Sequence, residues 1–218
     1  TRHLQSVAGR TAWDQETMMP INSGMSRAME MGALEEVIHE RKKGSTIKEL
    51  LETATPKTFQ EKRLHDLIKR DFDRATAIPN RLASDLAKTT SLAQMAWQKA
   101  RKNNNFSEFS PHLKKVIDLK RKEAALLSPS GDLYDGLIND YEFGMTKNEA
   151  SSIFAVMKPR LLDLRQRISE SKLTKPILQK NFDTEKQLKL AHEIAQTFFY
   201  DFSRGRIDIV AHPFCSGS

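Results

Sequence analysis

One cysteine, nine glycines and eight prolines in 218 residues leave little material for several common designs. The single Cys215 cannot form an internal disulfide, which favours a reducing compartment, and a cytoplasmic location is the expectation. No apolar run approaches the roughly 20 residues needed to cross a bilayer, so no membrane partner is expected. The glycines are scattered among predicted helix ends, which excludes a glycine-rich phosphate loop. No internal repeat, low-complexity tract or flexible linker divides the chain, which argues against stacked two-helix arrays. Aromatic residues interleaved with a basic stripe are also missing. The net charge of +7, from 35 Lys and Arg against 28 Asp and Glu, is spread over mixed-sign segments such as Glu61-Lys62-Arg63 and Arg70-Asp71-Phe72-Asp73-Arg74. That pattern reads as a solvated surface, and no nucleic-acid partner is expected.

What is present is helical periodicity. A helix ending near Thr17 leads into Pro20, and a second, about Ser23 to Lys43, is predicted to place Met25, Met29, Ala33, Val37 and Ile38 on its inner face. Arg41-Lys42-Lys43 before Gly44 is a carboxyl-terminal signature. A short helix around Ile47 to Glu52 precedes Thr58-x-x-Glu61, a capping box that opens a helix carrying Leu64, Leu67, Ile68, Phe72 and Ala75. Pro79 then starts a helix that Asn103-Asn104-Asn105 ends, and Ser110-Pro111 is predicted to begin the next. Asp132 to Met145 predicts a short helix and a Gly-ended turn. Thr146-x-x-Glu149 is a second capping box, opening a stripe of Ile153, Met157, Leu161, Leu164 and Ile168 in which Pro159 predicts a kink. Asp183 or Thr184 caps a last helix with Leu188, Ala191, Ala195, Phe198, Phe199 and Phe202, which Gly205 ends.

Six histidines raise the question of a metal. A catalytic zinc helix needs two imidazoles one turn apart with a glutamate between them to activate water. Here His39-Glu40-Arg41-Lys42-Lys43 offers a repelling ammonium at the fifth position, and His192-Glu193-Ile194-Ala195-Gln196 offers an amide. Both read as exposed polar residues on helices whose opposite faces build the core. No metal ligand is assigned in this chain, and no catalytic residue either. Cys215 follows His212 by three residues, but a nucleophile and its base are normally brought together from distant segments, so a buried thiol is the simpler account. Carboxylate pairs such as Asp14/Glu16 and Asp140/Glu142 are explained by capping or ion pairing.

The stretch from Arg206 to Ser218 differs from everything before it. Ile207, Ile209 and Ala211 alternate with Asp208 and Val210, predicting one short β-strand that runs into His212-Pro213-Phe214. On the bland reading, Pro213 ends the ladder and Phe214 fills the core. The functional alternative is a strand edge that binds an extended peptide, with His212 donating to a substrate carbonyl or carboxylate.

Three blocks, taken together and in order, closely resemble the carboxypeptidase Taq family of zinc metallocarboxypeptidases. They are Trp13-Asp14-Gln15-Glu16-Thr17-Met18-Met19-Pro20, the run from Leu133-Tyr134-Asp135-Gly136 through Asp140-Tyr141-Glu142-Phe143-Gly144-Met145-Thr146, and Asp201-Phe202-Ser203-Arg204-Gly205-Arg206-Ile207-Asp208 leading to His212-Pro213-Phe214-Cys215. One departure is Phe143, where the family turn carries proline. The resemblance implies an all-α, multi-helix, zincin-like metallopeptidase scaffold with one short terminal β-strand. It further implies that residues 1–218 are the amino-terminal helical part of a single metallocarboxypeptidase domain, truncated before the zinc-binding helix. The substrates would be peptides with a free carboxyl terminus, the full-length cofactor zinc or another divalent metal, and the full-length assembly a homodimer. His212, Pro213 and Phe214 carry over as substrate-side residues, and the chain alone is expected to bind no metal and to be inactive. A non-catalytic helical module that binds peptides or proteins is the alternative.

Overall fold

A computed structural model describes residues 1–128, 131–171 and 181–210. The chain is all-α in these residues and divides into two compact units, one built on Thr1–Ser151 and the other on Ser152–Ile209. The first contains α1 (Arg2–Thr17), a 3-10 turn (Ile21–Ser23), α2 (Gly24–Lys42), α3 (Ser45–Thr53), α4 (Phe59–Ala77), α5 (Asn80–Lys102), α6 (Phe106–Leu127) and α7 (Leu133–Ile138). Helix α8 (Lys147–Glu170) begins in the first unit and runs into the second, which also holds α9 (Thr184–Thr197).

Local chemistry writes most of these boundaries. Thr58 accepts from the Glu61 amide at 3.1 Å while the Glu61 carboxylate accepts from the Thr58 amide at 3.0 Å, closing the capping box of α4. The same reciprocal pair forms between Thr146 and Glu149 at the start of α8. These amides hold both carboxylates below the usual glutamate range, the backbone bonds to Thr58 and Thr146 being the largest cause in each case. Asp132 caps α7 and Asp183 caps α9 one way only, each carboxylate accepting from the amide two residues on. The start of α6 departs from the sequence expectation. Helix α6 starts at Phe106, with Asn105 as its cap, and carries Pro111 inside it. Asn103 closes α5, Asn104 turns the chain at φ 49°, and Asn105 accepts from the Ser107 amide at 3.2 Å. The asparagine run therefore both ends one helix and begins the next. Helix α8 continues through Pro159 as one element.

Of the predicted inner face of α2, Ile38 packs inward as expected, while the rest of the buried face belongs to other residues. Met25 and Met29 are 63% and 53% exposed, and Val37 is exposed too, whereas Gly24, Ala28, Gly32, Ile38 and His39 are buried. Gly24, Ala28 and Gly32 form a stripe of one residue per turn against α5, which runs in the opposite direction. A Cβ on Gly24 would lie 1.9 Å from the Met95 side chain, and one on Gly32 would lie 3.2 Å from Ser84 Oγ. The close approach lets Ser84 Oγ donate to the Gly32 carbonyl at 2.9 Å. Small residues of α2 carry the interface: Gly32 lets the backbones approach, and Gly24 leaves the space that the Met95 side chain of α5 fills.

Helix α6 packs on α5, and α4 touches both α2 and α6. Where α4 and α6 meet, Glu123 is buried and takes Arg74 and Lys120, each at 2.7 Å. Arg74 also reaches Asp140 at 2.7 Å, tying the turn after α7 to α4. In that turn Gly144 adopts φ +82°, and its amide donates to Asn139 Oδ1 at 2.9 Å. Phe143, the residue that stands where the resembled family has proline, lies under Arg70 with 4.8 Å to the ring centre.

The core is built of small residues: Ala28, Ala75, Ala83, Ala93, Ala100, Ala124 and Ala150, with Ile38, Ile78 and Leu86. Many large apolar side chains stay exposed, among them Ile153, Phe154, Val156, Leu161, Leu162, Leu164 and Ile168 of α8.

Two outcomes test this packing. Ala28→Leu should destabilise the chain by about 1–3 kcal/mol through overpacking, while Met25→Gln should leave the urea midpoint near wild type. At the ion cluster, desolvation raises the pKa of Asp140 above its ordinary 3.8 despite the opposing pull of Arg74. A raised folded-state value contributes stability that is full below pH 3.8 and is lost as the pH rises through that value. The stability of Asp140→Asn relative to wild type should therefore increase as the pH rises from the acid limb to neutrality. Glu123→Gln should instead cost about 2 kcal/mol at neutral pH, because two cations lose a charged acceptor. Urea titrations across this pH range check both substitutions.

Candidate functional site

The residues assigned to substrate binding, His212, Pro213 and Phe214, lie outside the described residues, as does Cys215. The segment that delivers the chain to them is described as far as Val210. Helix α9 ends at Thr197, earlier than its apolar pattern suggests. Phe198 caps it, and Phe199 turns the chain in the left-handed region at φ 63°. Gly205 therefore does not end the helix; it serves a close approach. A Cβ there would fall 2.0 Å from the Tyr200 hydroxyl, which donates to the Arg206 carbonyl at 3.4 Å.

Inside this loop Asp201 binds Ser203 twice, from its amide at 2.9 Å and its hydroxyl at 2.6 Å, and Arg204 lies 3.3 Å from its other oxygen. The Ser203 hydroxyl, then the amide, hold the Asp201 carboxyl below its ordinary range. Phe202 is sandwiched: His192 stacks on it at 4.6 Å, and Tyr200 meets it edge-on at 4.9 Å. The third resemblance block thus folds as an aromatic knot at the end of α9.

The predicted strand is not formed in the described part of Arg206–Val210. These residues pair with no other segment as a ladder, and no strand occurs among the described residues. Arg206 instead clamps Asp208 through Nε at 3.0 Å and Nη2 at 2.6 Å. The Asp208 side chain is 9% exposed while Ile209 is 63% exposed, the reverse of an apolar-inward alternation. Alternation encodes a face but supplies no partner, and without a neighbouring strand the backbone groups have no ladder to join.

Neither histidine near-motif behaves as a metal helix. His39, expected at the surface, is 4% exposed, and its Nε2 lies 2.6 Å from the Ile78 carbonyl. A carbonyl can only accept, so Nε2 carries the proton and its lone pair is not offered to an ion. Its neighbour Glu40 points outward to Asn80 and Lys43. His192 is engaged with Phe202, and Glu193 is exposed. Among the described residues no three His, Cys, Asp or Glu side chains converge as a metal site requires. The residues described here therefore do not fit a catalytic divalent ion.

Sequence reasoning did miss one feature. A cavity of about 330 Å³ opens between α2, α4, α5 and α6, lined by Glu35, His39 and Lys42 of α2, Asp71 and Arg74 of α4, and Lys120 and Glu123 of α6. Its apolar wall includes Ala75, Ile78, Ala83 and Leu86. The only available signal was the spacing of Glu35, His39 and Lys42, which places all three on one face of α2.

The family described as carboxypeptidase Taq (M32) metallopeptidase matches residues 1–218. Thermostable carboxypeptidase 1 of Thermus thermophilus is 35% identical over 231 residues, covering 98% of this chain and 45% of that protein. Carboxypeptidase 1 of Bacillus subtilis is 27% identical over 98% of this chain and 44% of its own length. The crystal structure of BsuCP superposes with a TM-score of 0.87 at 27% identity, covering 97% of this chain and 44% of that one. The structure of Pyrococcus furiosus carboxypeptidase in an apo-Mg form gives 0.75 at 27% identity, with coverage of 97% and 44%. The chain spans less than half the length of these relatives. Three ordered sequence blocks, the all-helical architecture and a match along the whole chain together place this protein in the carboxypeptidase Taq (M32) metallopeptidase family.

Proposed function

We propose that this chain is the amino-terminal portion of a metallocarboxypeptidase that removes residues from the carboxyl terminus of peptides. The observation that carries the proposal is the family match along the whole chain combined with coverage of under half of each relative. The exposed apolar side chains support it, because a unit that leaves so many large hydrophobic groups in water has further surface to bury. In this reading residues 1–218 form one scaffold portion of a single catalytic domain, and the active metal is zinc or a similar divalent ion held by residues other than those described here. His212, Pro213 and Phe214 act as one wall of the peptide groove. His212 donates to the substrate carboxylate or carbonyl, while Pro213 and Phe214 shape the apolar side. No residue described here touches a reacting atom, so the chain alone is inactive. A homodimeric full-length enzyme in the cytoplasm completes the reading. No described helix is long and apolar enough to cross a membrane.

Two measurements test the proposal. Metal analysis of the purified chain should find no stoichiometric zinc, and incubation with peptides should release no amino acids. Joining the chain to the missing portion of the Thermus thermophilus relative should restore both metal binding and release. One tightly held ion per isolated chain, or turnover by it, would overturn the fragment reading; a joined protein that binds metal but releases nothing would overturn the peptidase reading.

A further inference from the structure

We propose that the cavity between α2, α4, α5 and α6 binds a free basic amino acid, lysine or arginine. Some of its charges are already satisfied. Glu123 takes Arg74 and Lys120, and Arg74 also takes Asp140 from outside the lining, so both of these lining cations and Glu123 are already paired. Glu35, Lys42 and Asp71 line the same cavity, and among the described residues their side chains have no hydrogen bond or ion pair. The unmet set is therefore two negative charges and one positive.

A basic amino acid carries the complementary set: an α-ammonium, a side-chain cation and one carboxylate. Its carboxylate suits Lys42, its two cations suit Glu35 and Asp71, and its methylene stem suits the wall of Ala75, Ile78, Ala83, Leu86 and Ala87. Other solutes fit less well. An acidic amino acid brings two carboxylates to an unmet set that is net negative. A diamine leaves Lys42 without a partner, and an inorganic anion has only that one free cation among the described lining residues. At about 330 Å³ the space accommodates one such molecule. The cavity is also held open in advance, since His39 Nε2 donates to the Ile78 carbonyl and anchors the end of α2 at the junction of α4 and α5. Binding then costs little rearrangement.

The site goes beyond the catalytic reading and does not depend on it, because binding is measured without turnover. Calorimetric titration of the chain with L-lysine and L-arginine should saturate. Cadaverine, which lacks the carboxylate, should bind about tenfold more weakly, and L-glutamate should not bind. Glu35→Gln and Asp71→Asn should each weaken lysine about tenfold. Lys42→Met should abolish the preference for lysine over cadaverine, a readout that general damage to the fold would not produce. The comparison of lysine, cadaverine and glutamate on the unaltered chain decides the proposal even if a variant unfolds. Absence of saturable lysine binding, equal binding of glutamate, or an undiminished preference for lysine in Lys42→Met would overturn it.

Discussion

The close approach of α2 and α5 is the contact on which the rest of the first unit depends. It is made by small residues of α2: Gly32 lets the backbones approach at Ser84, Ala28 is fully buried, and Gly24 leaves room for the Met95 side chain. Because the two backbones are that near, the carboxyl end of α2 arrives at the start of α5, and His39 meets the carbonyl of Ile78 in the short passage from α4 to α5. This one bond ties three helices at a point. Helix α4 is then held at an angle where its Arg74 reaches Glu123 of α6, which packs on α5. A core of alanines supplies little buried area per residue, so the geometry is set by how closely the helices approach and by the polar bonds that approach permits.

The buried charges follow from the same spacing. Glu123 is 4% exposed, and removing a carboxylate from water is costly unless cations meet it. Arg74 and Lys120 do so at 2.7 Å, and Arg74 spreads its remaining donors to Asp140. A second tie works in the same way at the other end of α2. Arg27 bonds Asp14 at 2.5 Å, Glu30 at 3.1 Å and the Thr11 carbonyl at 2.7 Å, fixing α1 to α2. Asp14 belongs to the first resemblance block and Asp140 to the second. Within the described structure, both therefore act as cross-braces between elements, the structural account that carboxylate pairs on helix ends invite.

What could be read in the sequence was what a few neighbouring residues decide. The capping boxes at Thr58 and Thr146 and the cap at Asp183 are complete within four residues, and each is formed. The family was also legible, since its blocks are contiguous. Misreadings fell where distance or size mattered. Met25 and Met29 look like core by hydrophobicity, yet the inward face of α2 belongs to glycine and alanine because the partner helix needs the room. His39 looks like surface, yet it is buried by an acceptor 39 residues away. The alternation after Arg206 describes half a strand, and a strand exists only with its neighbour. The cavity was beyond reach for the same reason: its charges come from three helices, and its apolar wall draws on a fourth.

Two kinds of surface remain, and they call for different occupants. In the second unit α8 exposes apolar residues around much of its circumference, including Phe154, Val156, Leu161, Leu162 and Leu164. A helix apolar on several faces is normally buried, since no single neighbour can cover it. Extended protein surface can remove that much hydrocarbon from water, which fits a chain spanning less than half of its relatives. The cavity of the first unit is the opposite case: concave, small and lined by ionisable groups that a hydrophobic segment would leave unpaired at a cost. Packing of more polypeptide satisfies α8, whereas Glu35, Lys42 and Asp71 are better met by a solute carrying its own charges, and the two requirements can be fulfilled independently.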